Sequence, residues 1–200
     1  MSTGTLAKVP AKTAAEICNR CALGDEAKEL LRPGATPRQF LDALVEKEQF
    51  ADAVRFLAHA LPKREAVWWG CVCVRQVLAS GKPPATDTAA LQAAEKWVAA
   101  PSEENRQEAL PAAEATEYGT PAGTLAAAAF FSGGSLAPPD LPAVPPPDTS
   151  TANMVAGGVD LAAVQTQPEK AAEKYRKFIA TGIEVASGTN RWKETLPLRK

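Results

Sequence analysis

The stretch Pro62 to Ser80, PKREAVWWGCVCVRQVLAS, decides the fold. It carries two adjacent tryptophans, two cysteines and four valines, with charge only near its start and at Arg75. The run from Ala66 to Val74 is apolar without alternation, so periodicity alone does not separate helix from strand. Its ends do. Pro62 stands where proline is tolerated at a first helical turn, and Gly81 stands where a helix stops. At about 100° per residue, Arg64 and Arg75 fall about 20° apart, as do Glu65 and Gln76. The rest of the circumference is apolar, which predicts a helix largely enclosed by others. Trp68 and Trp69 point about 100° apart and should meet different neighbours. Gly70 costs roughly 1 kcal/mol of helix propensity against alanine, which implies the close approach of a second helix. The alternative use of such a stretch is a cleft beside Trp68, Trp69 and Arg75.

Towards the N-terminus, residues 1–12 read as a flexible arm. Thr13 and Glu16 form a capping box for a helix running to about Leu23, with a stop at Gly24. Asp25 opens a short segment, DEAKELL. Thr36 and Pro37 then start TPRQFLDALVEKE, which places Phe40, Leu41, Leu44 and Val45 at helical spacing. A helix from near Glu48 to Leu61 puts Phe50, Val54, Leu57 and Leu61 on one side.

Towards the C-terminus, GKPPA (81–85) is a turn. It is not a phosphate loop, because the upstream glycine and the Ser or Thr after the lysine are missing. Thr86 or Asp87 is the expected cap of the next helix, and Ser102 the cap of the one after it. Pro111 should bend or end that helix. TPAGTLAAAAFF (120–131) predicts an alanine-rich helix that packs tightly. Thr151 begins an apolar helix, and Pro168 begins another with Tyr175, Phe178, Ile179, Ile183 and Ala186 on one face. Trp192 is expected to tuck onto the body, and residues 193–200 to be a loose tail.

Ser132 to Asp148, SGGSLAPPDLPAVPPPD, is different in kind. Its six prolines exclude helix and central strand. An extended, polyproline-like path is expected. Leu136, Leu141 and Val144 suggest a strap lying across the helices with these side chains partly buried. A docking peptide for a proline-binding partner is the other reading.

Composition narrows function. Twenty-two basic and 23 acidic residues leave a net charge of −1, which does not favour nucleic acid or an anionic membrane as partner. The N-terminus lacks the apolar core of a signal peptide. No apolar run approaches the roughly 18 residues of a membrane span, so a soluble, cytoplasmic protein is expected. Four cysteines raise the question of zinc. Cys18 and Cys21 supply only half of a paired-knuckle pattern, while Cys71 and Cys73 diverge by about 160° on a helix. Free thiols in a reducing compartment are the expectation. His59, the single histidine, has no motif that would make it a general base and reads as an ordinary surface or interhelix residue.

Three stretches also resemble an uncharacterised bacterial family of helical proteins. They are FLAHALPKREAVWWGCVCVR (56–75), FFSGGSLAPPDLPAVPPPD (130–148) and EKYRKFIATGIEVASGTNRW (173–192). The resemblance implies no activity that can be carried over by residue. It implies an association with type VI secretion and related contractile-injection gene clusters, and hence an accessory or adaptor role.

The resulting expectation is an all-α protein, with about seven to nine helices in one domain over residues 13–192. An irregular bundle or a short HEAT-like α-solenoid, strapped by residues 132–148, would satisfy it. The leading functional expectation is a non-enzymatic adaptor that binds another protein. An enzyme or small-ligand binder with a pocket near Trp68, Trp69 and Arg75 is the alternative. No catalytic, cofactor-binding or metal-ligating residue is assigned, and no cofactor. Trp68, Trp69, Arg75, Leu141 and Trp192 are the candidate partner or ligand contacts.

Overall fold

The computed structural model describes residues 5–137 and 140–192. Among them are ten α-helices, one short 3-10 turn and no strands. Two short helices, α1 (Ala14–Cys18) and α2 (Asp25–Glu29), lead into α3 (Pro37–Glu46) and α4 (Phe50–Ala60). The stretch quoted above is α5 (Lys63–Leu78). It is followed by α6 (Ala85–Ala99), α7 (Glu103–Glu114) and α8 (Pro121–Phe130). After the proline-rich segment come α9 (Ser150–Val164), the 3-10 turn Pro168–Lys170 and α10 (Ala171–Ser187).

The arrangement is a bundle rather than a solenoid. In a solenoid each unit meets only its sequence neighbours. Here α9 packs on α4 and α5, and α10 on α4 and α5. All ten residues of α8 are buried, and its alanines let α5, α6, α7 and α9 close around it. The expected close approach at Gly70 is made by this helix: a Cβ there would lie 2.5 Å from Leu125 Cδ2. Trp68 and Trp69 are both fully enclosed and meet different partners. Trp68 Nε1 donates to Asn190 Oδ1 at 3.1 Å, and Trp69 Nε1 donates to the Phe178 carbonyl at 2.8 Å. Each indole thus buries its ring without stranding its N–H.

Local signals set several helix starts. Thr36 accepts from the Gln39 N–H while Gln39 reaches back to the Thr36 N–H, with Pro37 at the first position. Ser102 caps α7 and Thr120 caps α8, each through its side chain. Gly188 ends α10 with φ +81°, a left-handed position that glycine adopts without strain.

Several expectations need correction. The helix count exceeds the expected seven to nine, because the short segments Ala14–Cys18 and Asp25–Glu29 each form a helix of their own. α1 stops at Cys18 rather than Leu23, since tertiary bonds take over: Arg20 donates to the His59 carbonyl and Arg55 to the Ala22 carbonyl. α6 begins at Ala85 with Pro84 as its cap residue, not at Thr86 or Asp87. Pro111 neither ends nor breaks α7. It lies on the exposed face of the helix, one turn after the exposed Gln107, so the helical donor it removes is lost on the solvent side. The expected arm is not loose over residues 5–12. Leu6 is buried there, and the Lys8 N–H donates to the Ala186 carbonyl at 2.7 Å. Residues 1–4 and the expected tail 193–200 lie outside the described residues. The largest difference concerns the proline-rich segment.

Candidate functional site

The segment between α8 and α9 is a loop tied firmly at its base and apolar at its surface. Arg106 on α7 holds the base. This arginine is 3% exposed, and its Nη1 donates to the Phe130 carbonyl at 2.7 Å. Its Nη2 donates to the Ser135 carbonyl at 3.3 Å, and Glu103 pairs with it from one helical turn before. Those bonds from Arg106, with another from Gln107, pull the Glu103 carboxyl down to about 2. Gly134 passes against the guanidinium with φ +68°, and a Cβ there would lie 2.5 Å from Arg106 Nη2. Lys63 Nζ donates to the Ser132 carbonyl at 2.9 Å, and Thr151 Oγ1 to the Phe131 carbonyl at 3.1 Å.

Above the base the loop folds back on itself. Ser135 Oγ accepts the N–H groups of Ala137 and Val144, and the Leu136 N–H donates to the Val144 carbonyl at 2.8 Å. Residues 142–147 have neither helix nor turn. Their prolines fix φ near −65°, and a polyproline helix turns every three residues. Pro146 is buried against the body, while Leu141 and Val144 stand 56% and 53% exposed. Leu136 is 39% exposed. The expected burial of Leu136, Leu141 and Val144 is therefore corrected. The loop is anchored through Arg106, Lys63 and Pro146, and turns its large apolar side chains outward. Three of the five exposed large apolar residues among the described residues lie on it.

The other candidate contacts are placed as follows. Trp68 and Trp69 are enclosed by helices, so neither is offered to a partner, and none of the three clefts described is lined by them. Arg75 pairs with Glu95 on α6 and lies over the Trp68 ring at 5.7 Å. Trp192 is half-buried, with the Arg64 guanidinium 4.1 Å from its ring. Arg64 also donates to the Val98 and Ala99 carbonyls, so Trp192 closes over an arginine that caps α6. Of the five residues proposed from sequence, only Leu141 lies on the loop.

His59 is buried between α4 and α9, with Nε2 3.0 Å from Asn153 Oδ1. Burial holds its pKa below the ordinary histidine value. Beside it a cleft of about 450 Å³, lined by Arg20, His59 and Lys63, opens under the end of the loop at Asp148. The four cysteines are free. Cys71 and Cys73 are fully enclosed, and Cys21 lies beyond the end of α1 rather than on a shared helical face with Cys18. Among the described residues no three His, Cys, Asp or Glu side chains are grouped to hold a metal ion. No helix there is long and apolar enough to cross a membrane.

Residues 40–186 match a family described as Family of unknown function (DUF6931). The chain belongs to this family. The DUF6931 match runs from within α3 almost to the end of α10, and so takes in the whole loop and its anchors. No curated protein and no solved structure matches the chain.

Sequence reading missed Arg106. An arginine three residues after a glutamate in a polar helix resembles a solvated ion pair, and nothing local marks it as the loop's anchor. Its role depends on residues 24 and 29 positions further along the chain.

Proposed function

We propose that this protein is a non-enzymatic adaptor that presents the loop Ser132–Asp148 to another protein. One observation carries the reading: Leu136, Leu141 and Val144 are exposed on a loop whose base is fixed by the buried Arg106. Apolar side chains exposed singly need no explanation, but grouped on one anchored loop they suit a protein partner. Prolines and the internal bonds of Ser135 limit the freedom the loop loses on docking. The complementary partner is a domain with an aromatic-lined groove that reads a proline-rich segment at three-residue spacing. The resemblance noted above makes a type VI secretion-like or contractile-injection system in a bacterial cytoplasm the place to look for it.

The test is the double substitution Leu141→Asp and Val144→Asp. Exposed sites away from special backbone positions shift stability by only about 0.5 kcal/mol, so the melting temperature should hold. Affinity capture from the native cell, read by mass spectrometry, should then lose a protein that the wild type retains. A synthetic peptide of residues 132–148 should release that protein from the wild type. Identical captured sets, or a variant that melts early, would remove the loop from the function.

A further inference from the structure

Beside His59, beneath the end of the loop, lies a cleft of about 450 Å³, a size suited to a small ligand. Three distant parts of the chain form it: the turn after α1, the junction of α4 and α5, and the start of α9. The turn supplies Arg20, the junction supplies His59 and Lys63, and the third part supplies Thr149 and Ala152. Helix ends of both signs reach the cleft, since α4 finishes where α5 and α9 begin. Their partial charges cannot decide what it holds, so the side chains must.

Arg20 and Lys63 bring two positive charges to the wall, against the carboxylate of Asp148 at the exposed rim. Both cations keep donors in reserve. Arg20 Nη2 donates to the His59 carbonyl at 3.1 Å and Lys63 Nζ to the Ser132 carbonyl, which leaves further N–H groups on each. His59 stands beside them, 5% exposed. Its Nε2 is paired with Asn153 Oδ1, while Nδ1 has no partner among the described residues and is not sealed from solvent. The charged groups acting on this ring are Arg20 and Arg55, and both disfavour a proton there. An anion beside Nδ1 would offset them. Neither Pro62 nor Thr149 caps its helix through a side chain, so first-turn N–H groups of α5 and α9 remain as additional donors.

We propose that this cleft binds a small organic phosphate, with its phosphoryl group beside His59 on Arg20, Lys63 and the first turn of α5, and its body against Leu61 and Pro10. The donors come from three separate elements. A phosphoryl group presents three acceptor oxygens in different directions, which suits them better than the two oxygens of a carboxylate. The site does not rest on the adaptor reading: its test reads His59, whereas the adaptor's test reads a protein captured through Leu141 and Val144.

His59 is the single histidine of the chain, so its ring resonances report on this cleft alone. The full chain is titrated at fixed pH and ionic strength with propyl phosphate, inorganic phosphate and butyrate, and the ring is followed by NMR. Propyl phosphate should shift the resonances saturably at or below about 1 mM and raise the pKa of His59. Inorganic phosphate, lacking the body, should bind more weakly, and butyrate more weakly than propyl phosphate by about tenfold or more. Arg20→Gln should weaken propyl phosphate by roughly 10- to 100-fold, as loss of a charge-assisted bond predicts. Asp148→Asn should tighten it several-fold by removing a like charge, a result that a poorly folded variant does not imitate. A shift that does not saturate, an unmoved His59, butyrate binding as tightly as propyl phosphate, or either variant binding as the wild type does would overturn the site.

Discussion

Trp69 Nε1 on α5 donates to the main-chain carbonyl of Phe178 on α10 at 2.8 Å, joining positions 109 residues apart in the chain. The contact is possible because Gly182, one turn further along α10, has no side chain. A Cβ there would lie 2.8 Å from Trp69 Cε2 and collide with Leu57 Cδ2. Gly182→Ala should therefore cost about 1–3 kcal/mol through overpacking. Trp69→Ala should cost roughly 3–5 kcal/mol, a large part of a typical domain's stability. Urea unfolding measures both. A Gly182→Ala variant as stable as the wild type would mean that α10 does not sit this close to α5.

Arg106 is expected to govern the loop. Arg106→Met retains much of the buried stem but leaves the Phe130 and Ser135 carbonyls without their donor, at a cost of roughly 1–3 kcal/mol. Limited proteolysis should cut the variant within residues 132–148 earlier than the wild type. An unchanged cleavage pattern would show that Lys63, Thr151 and Ser135 suffice to hold the loop.

Asp160 on α9 should make stability depend on pH. Burial pushes its carboxyl up to about 6, against a hydrogen bond from Tyr175 and the Arg55 charge that lower it, with Asp52 adding to the rise. An unfolded aspartate titrates near 3.9. The folded state therefore holds this proton more tightly, and the stabilising contribution is complete below about pH 4 and lost as pH rises through about 6. The side chain is partly exposed, so the loss is discounted to about 1–2 kcal/mol. Asp160→Asn should gain that amount at pH 8 and flatten the stability profile between about pH 4 and 7. Parallel profiles for variant and wild type would assign the pH dependence to other groups.

The thiols should be slow. Burial raises Cys71 and Cys73 well above the ordinary thiol value and pushes Cys21 up to about 12, while Cys18 is raised as well. Little thiolate exists at neutral pH to react. A thiol reagent should label the native protein poorly and all four cysteines after denaturation, and elemental analysis should find no stoichiometric zinc. One zinc per chain, lost when Cys18 and Cys21 are both replaced by alanine, would contradict this.

The sequence by itself determined the helices and several of their starts. Thr36, Ser102 and Thr120 act on N–H groups three residues away, and Gly188 acts on carbonyls of the preceding turn, so their meaning is local and survives without a fold. The burial of α5 was equally legible, because apolar residues covering most of a helix leave it no solvated face. Tertiary structure alone decided where the functional surfaces lie. Arg106 is buried because Phe130 and Ser135, 24 and 29 residues onward, present carbonyls to it. Leu141 looked like a packing residue because it is apolar between Asp140 and Pro142. Pro146 and the base of the loop supply the anchoring instead, and a side chain's outward direction depends on which neighbour reaches it first.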